Sequence, residues 1–454
     1  MIIFYNATVI DGGRSWRGYV TVEGAEIADV CQGDPDMELL ERCANRIDLS
    51  GAWLLPGVID THVHLREPGM TAKADIAGES RAMAAGGVTS WIDMPNTLPP
   101  TTTPDTLADK QRRARESSLT NYAFYIGATA DNIDTLAHKV DYTGVAGVKL
   151  FLGSSTGNLL LNDDAPLRRL FGSVPALIAV HSEDEAIIRS ARETLVSGGS
   201  AGLSAANHPQ MRPREACFEA TRRVVELARQ TGARLHILHI STADELALLS
   251  DTPLSASKRI TAEACAGHLL FADTDYARLG NRIKVNPAIK TEADRNALRH
   301  AIDTDLIDTI ATDHAPHTLE EKQRPYLDAP SGMPLGQFSL PMVFELAEQG
   351  AFTLERAIGK MTNAPARLFG IERRGYLRPG YYADLTIVAR QPEPYTITDA
   401  DVRSRCRWTP LAGTPAHHRV LLTMVNGQIV YDPVKNGIGA TTDPSPAMPL
   451  KFNH

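Results

Sequence analysis

Residues 57–69 read GVIDTHVHLREPG, an apolar run that ends abruptly in two histidines and an arginine. A near-continuous apolar run of this length is what a strand buried on both faces requires. On a strand, residues two apart share a face, so His62 and His64 present both imidazoles to one side. Seven later segments repeat the design: VTSWIDMP (88–95), YAFYIGAT (122–129), AGVKLFLG (146–153), ALIAVHSE (176–183), RLHILHIS (234–241), RITAEAC (259–265) and DTIATDH (308–314). Helix-patterned stretches such as PREACFEATRRVVELARQTG (213–232) lie between them. Nearly every strand finishes on a reactive group: Asp93 with Asn96, Lys149, His181, His239 and Asp313. An open doubly wound sheet would spread these groups along an edge. A parallel (β/α)8 TIM barrel gathers them around one mouth, and this convergence selects the barrel.

Outward from this centre, the two chain ends resemble each other. IIFYNATVIDG (2–12) and YVTVEGAEIADV (19–30) read as strands, as do ADLTIVAR (383–390) and VLLTMVNGQIVYD (420–432). Asn426-Gly427 between alternating apolar residues is a hairpin signal. The expected organisation is a small β-sandwich domain from residues 1–52 and 371–454, around a barrel over 53–370. The final GIGATTDPSPAMPLKFNH (437–454), polar and rich in Gly and Pro, reads as a loosely held tail.

The chain has 454 residues, of which 43% are hydrophobic and 22% charged, an ordinary globular mixture that excludes disorder, collagen and coiled coil. Its net charge of −8 and the lack of any long basic run argue against nucleic-acid or other polyanionic partners. Cys31, Cys43, Cys217, Cys265 and Cys406 are scattered and odd in number, which argues against a disulfide framework or a thiolate zinc site. No stretch approaches the length of a spanning helix and the amino terminus lacks a signal-peptide pattern, so a cytoplasmic protein without membrane association is expected.

The strand ends carry the chemistry. His62, His64, Lys149, His181, His239 and Asp313 form a candidate metal set of N and O donors, which suits zinc and is compatible with cobalt or manganese. Lys149 is the odd member, because a protonated amine beside dications is repelled. Burial and nearby positive charge lower a lysine's pKa; a neutral amine adds carbon dioxide, and the resulting carbamate would bridge two metals. Asp313 is placed to carry a proton from a metal-activated hydroxide to the leaving nitrogen. Arg66 offers a planar fork for a substrate carboxylate, with a salt bridge to Glu67 or Asp93 as the alternative. Asn96 and Asn286 offer uncharged donors and acceptors, and His317 lies beyond Pro316, where it would lean over a substrate. His236 and His268 read as packed structural histidines. LGSSTGN (152–158) lacks the ending of a phosphate loop and reads as a mobile loop over the site.

In this order the motifs DTHVHLREPG (60–69), DMPNT (93–97), VNPAI (285–289) and ATDHAPH (311–317) resemble the amidohydrolase superfamily, and dihydroorotases in particular. The resemblance extends over nearly the whole chain, including GYLRPGYYADLTIV (375–388). It implies zinc at His62, His64, His181, His239 and Asp313. It implies substrate contacts from His64, Arg66, Asn96, Asn286, His317 and the backbone at Ser331 and Gly332. It further implies reversible hydrolysis of dihydroorotate to N-carbamoyl-aspartate in pyrimidine synthesis, with two Zn2+ ions per subunit, a homodimer, and an association with aspartate carbamoyltransferase. Many bacterial dihydroorotases with the HLREPG signature carry Asp where this chain has Lys149; lysine there is similar to hydantoinases. Allantoinase and dihydropyrimidinase are the nearest alternatives, and a non-catalytic scaffold is a third.

Overall fold

The computed structural model describes residues 1–153, 159–197, 199, 202–434, 437–438 and 445–453. The loop expected at LGSSTGN falls largely on 154–158, outside the described residues. Strands β1 (Ile2–Asp11), β2 (Arg14–Glu23), β3 (Glu26–Gln32), β4 (Asn45–Asp48) and β5 (Trp53–Pro56) open the chain. Eight strands follow: β6 (Val58–Val63), β7 (Val88–Asp93), β8 (Asn121–Gly127), β9 (Gly147–Phe151), β10 (Ile178–His181), β11 (Leu235–Ile237), β12 (Ile260–Cys265) and β13 (Thr309–Ala311). They coincide with the eight apolar runs of the sequence. Each pairs in parallel with the next, in the order β6 through β13.

The ring closes between first and last. Val63 bridges His314 in parallel, His64 N donates to His314 O at 2.8 Å, and buried Asp60 accepts from Thr312 N and Oγ1. Crossover helices pack their apolar stripes on the outside. In Arg214–Thr231, Ala216, Cys217, Ala220, Val224, Val225 and Ala228 are buried at helical spacing. The barrel expected from the converging strand ends is the barrel observed.

The two chain ends build a separate mixed sheet. β14 (Leu385–Thr396), β15 (Pro415–Val425), β16 (Gln428–Asp432) and β17 (Gly437–Ile438) join β5, β1, β2 and β3, with β4 beside β1. Asn426 and Gly427 both have positive φ and form the turn between β15 and β16. Gly427 is required twice over, since a Cβ there would lie 1.9 Å from Gly24 O in the β2–β3 turn. That close approach brings the far ends of the sheet together around a core that includes Phe4, Val20, Leu54, Leu385, Ile387 and Met424. The expected sandwich is thus one continuous sheet.

Over 445–453 the expectation of a loosely held tail is overturned. Leu450 N donates to Tyr122 O at 2.9 Å, Tyr122 N donates to Met448 O at 3.1 Å, and Phe452 N donates to Thr143 O at 3.0 Å. Leu450 and Phe452 are buried. Alternating Met448, Leu450 and Phe452 supply an apolar face that the surrounding prolines and polar residues obscure in the sequence. Arg374, buried and paired with Asp384, donates to Asn426 Oδ1 at 2.7 Å, while Asn426 Nδ2 donates to Asn121 Oδ1 and Pro446 O. This network ties the terminal sheet, strand β8 and the end of the chain into one piece. None of the five cysteines is disulfide-bonded, and no helix among the described residues is long and apolar enough to cross a membrane.

Candidate metal centre and substrate cavity

Strand β6 delivers His62 and leads into His64; β9 carries Lys149, β10 ends on His181, and His239 and Asp313 follow β11 and β13. All but Asp313 are buried, and Asp313 is nearly so. His62 Nδ1 donates to Glu263 Oε1 at 2.8 Å, and His64 Nδ1 donates to Asn96 Oδ1 at 2.9 Å. Both rings therefore keep their Nε2 lone pairs free. Those two Nε2 atoms converge on one oxygen, Asp313 Oδ1, at 3.3 and 3.1 Å. Two lone pairs and a carboxylate oxygen at such distances repel unless a cation or a proton lies among them. A second convergence lies beside the first: His181 Nδ1 and His239 Nε2 are 2.9 Å apart, and His239 Nδ1 is buried without a hydrogen-bond partner among the described residues. The His239 ring lies 5.4 Å from that of His62 and 4.8 Å from that of His181, so the four histidines form one cluster.

Burial dominates the electrostatics. It pulls His64 down to about 4 against the opposing pull of Asp313, and His239 well below the usual imidazole range, helped by His181, His62 and Lys149. Burial raises the Asp313 carboxyl, but His62, His64 and Lys149 together hold it down at about 2. Lys149, against the face of Phe151, is pulled down to about 7 by burial, although Asp313 and Glu263 act the other way. No carboxylate lies within ion-pair distance of Lys149 among the described residues. These nitrogens and the adjoining carboxylate fit a divalent metal centre of zinc type.

Two carboxylates that motif reading passed over orient this cluster. Glu263 takes the His62 Nδ1 proton and also accepts from Thr61 Oγ1 at 3.2 Å and His239 N at 3.3 Å. Glu183 Oε2 lies 2.9 Å from His181 Nε2 and is paired with Arg212, whose Nε is 3.1 Å from both oxygens. Burial opposes the charge on both acids, yet Arg212 and His181 hold Glu183 low, and His62 and His236 hold Glu263 low. Such partners fix the tautomer and aim of metal-ligating imidazoles. Their signal in the sequence was position: Glu183 lies two residues past His181, and Glu263 is a charge inside an apolar strand.

A narrow cavity of about 30 Å³ abuts the cluster, lined by His64, Arg66, Asn96, Asn286, Asp313, Ala315, Ser331 and Gly332. It unites most of the residues expected to meet a substrate. Gly332, at φ +139°, is needed there, since a Cβ would lie 2.5 Å from Ala315 O and 2.9 Å from His317. His317 is not among the lining residues; it stands behind Arg66, buried, with Nε2 3.0 Å from Ser331 O and Nδ1 3.1 Å from Lys73 Nζ. Nε2 also meets Arg66 Nη2 at 3.0 Å, and Glu321 Oε2 lies 3.7 Å from Nδ1.

Arg66 is 2% exposed and donates from Nε to Pro316 O at 3.1 Å. It bridges neither Glu67 nor Asp93. Glu67 takes Arg113, and Asp93 is committed to buried Lys110 and to Leu65 N. Asp93 is thus a brace for the HLREPG turn. Burial lowers Arg66 to about 10. His236 packs on Thr261 and Thr309, and His268 faces Pro287 O, both in structural settings.

Arg66, His239 and Asp313 share one further property, with φ of +65°, +40° and +49°. For residues other than glycine this region costs roughly 1–3 kcal/mol each and persists where the surroundings over-determine it.

Comparison with known proteins agrees with this geometry. Residues 174–430 match the Amidohydrolase family, and residues 51–156 match a family described as Dihydro-orotase-like. A dihydroorotase of Halobacterium salinarum is 35% identical over 84% of this chain and 86% of its own length. An allantoinase of Bacillus velezensis is 31% identical over 95% of this chain and 94% of its own. Among solved structures, an L-hydantoinase (dihydropyrimidinase) from Arthrobacter aurescens superposes with a TM-score of 0.91 at 26% identity, over 99% of both chains.

Proposed function

The chain belongs to the amidohydrolase family and is a cyclic amide hydrolase, and we propose that its activity is that of a dihydroorotase. The reaction would be reversible hydrolysis of (S)-dihydroorotate to N-carbamoyl-L-aspartate in de novo pyrimidine synthesis. One observation carries this reading: Arg66, buried at the wall of the cavity, has no carboxylate within ion-pair distance among the described residues. Asp313, Asp93, Glu321 and Glu79 favour its charge from a distance, but none touches it; a buried guanidinium without a contact partner is costly, and a substrate bearing a ring carboxylate supplies one. Allantoin and hydantoins bring no such group, so the resemblance to an allantoinase and a hydantoinase is read as one of scaffold and metal set.

Two zinc ions would be held by His62, His64, His181, His239 and Asp313, with Lys149, as a carbamate, a further anionic ligand. When bound, zinc supplies Lewis acidity toward water and the ring carbonyl. Lys149 contributes an amine whose burial keeps it neutral enough to take up carbon dioxide. Arg66 holds the ring carboxylate through its terminal nitrogens, Asn96 and Asn286 fix the ring edges, and the Ser331–Gly332 backbone closes the far wall. His317 lies against that wall at Ser331 O. Asp313, beside the reacting amide, takes a proton from the attacking water and returns it to the leaving nitrogen. A cytoplasmic homodimer associated with aspartate carbamoyltransferase rests on the family resemblance alone.

The test is turnover by zinc-loaded protein in bicarbonate buffer, with dihydroorotate, allantoin and hydantoin compared at equal concentration. Ring opening of dihydroorotate at a kcat/KM well above the other two supports the reading. Preference for either neutral ring overturns it.

A further inference from the structure

A second cavity, of about 370 Å³, shares the walls Asn286 and Ser331 with the narrow one. Because the two share these walls, the outer cavity borders the route to the narrow one. Among the described residues, the outer walls carry four cations, Arg189, Arg192, Arg212 and Lys284, against a single acid, Glu185. In a chain of net charge −8 this is a local reversal of sign.

The four are not equivalent. Arg212 is spoken for by Glu183. Lys284 donates to two backbone carbonyls, Tyr326 O and Ala329 O, which leaves its positive charge uncancelled. Arg189 and Arg192 are exposed on the helix Glu185–Ser197, and no carboxylate lies within ion-pair distance of either among the described residues. Glu185 and Glu193 stand four residues to either side of Arg189, yet neither arginine lies within ion-pair distance of them. The two arginines face a concavity that leads to the metal ligands, where low-dielectric walls concentrate the field.

The geometry points to this outer cavity as an electrostatic vestibule, in which Arg189 and Arg192 recruit a small dicarboxylate in preference to a monocarboxylate or a neutral ring. The inference rests on the dihydroorotase reading for its physiological consequence. The open-chain ureido dicarboxylate carries two negative charges and the cyclic product one, so the vestibule speeds entry from the acyclic side more than from the cyclic side. Steering of this kind acts on association and fades with salt, because the screening length is about 10 Å at 0.1 M.

The experiment uses the zinc-loaded full chain and the variant Arg189→Gln/Arg192→Gln, both side chains being exposed and outside the inner site. Two readouts are taken at low and high ionic strength: kcat/KM in each direction, and binding of succinate by calorimetry. At low salt the variant is expected to lose about threefold to tenfold in kcat/KM for N-carbamoyl-aspartate, with kcat unchanged. The loss for dihydroorotate is expected to be smaller, and both losses to vanish at high salt. Succinate binding weakens in parallel. Equal succinate affinity and equal salt dependence in wild type and variant overturn the vestibule, whatever the substrate proves to be. If neither pyrimidine substrate turns over while the variant still loses succinate affinity, the dihydroorotase reading fails and the vestibule stands.

Discussion

Replacing Arg66 by Met keeps most of the side chain's length while removing its charge and its donors. The structure sets the size of the effect. Nε is already used on Pro316 O, and Nη2 spends one hydrogen on His317 Nε2 at 3.0 Å. Nη1 and the second hydrogen of Nη2 therefore remain for a carboxylate. Two charge-assisted hydrogen bonds are worth about 1.5–3 kcal/mol each, so their loss amounts to about 3–6 kcal/mol, or roughly a hundredfold to ten-thousandfold in kcat/KM. The carboxylate is remote from the scissile amide, so most of the loss should fall on KM. In the free protein the sign reverses. Burial pulls Arg66 from 12.5 to about 10, a penalty of about 3 kcal/mol on its charged form. Removing the charge should leave the unliganded variant at least as resistant to heat as the wild type. Steady-state kinetics with dihydroorotate and hydantoin, beside a thermal melt, checks both limbs. A loss below tenfold, or an equal loss with hydantoin, would refute the carboxylate clamp.

Two further outcomes are expected. Lys149→Ala should reduce bound zinc from two ions per chain to one or fewer, measured by elemental analysis after dialysis; two retained ions would rule out a lysine bridge. Arg374→Met strands Asp384 in the buried network that joins the sheet, β8 and the chain end, at a cost of about 3–5 kcal/mol. Denaturant unfolding should shift accordingly, with earlier proteolysis after residue 444, and Asp384→Asn in the same chain should recover part of the loss. An unshifted transition would show that the network is not structural.

The barrel was legible because its strands are buried on both faces and end on reactive groups, so apolar runs and chemistry coincide along the chain. The histidines, Arg66 and Asp313 stood out for the same reason. Partnership was not legible. Nothing local tells that Asp93, at a strand end like the others, belongs to Lys110, or that Glu263 serves His62 from a strand some 200 residues away. Hydrogen bonds between distant strands are set by closure of the ring, which a linear pattern does not encode. The segment 445–453 misled for a different reason. Its three alternating apolar residues are too few to register as a strand, yet they suffice to dock on Tyr122, Thr143 and Gly370, surfaces that other parts of the chain had already built.

Arg66, His239 and Asp313, all in left-handed backbone, bear on transplantation. A peptide carrying DTHVHLREPG, or the same residues grafted onto another barrel, would relax these residues to ordinary conformations and aim their side chains elsewhere. The metal site is therefore not a portable cassette. Its geometry is enforced by ring closure at Asp60–Thr312 and by the braces from Asp93 and Glu263. Engineering a new substrate preference is better directed at the exposed walls around Arg189 and Arg192, where no backbone is under comparable constraint.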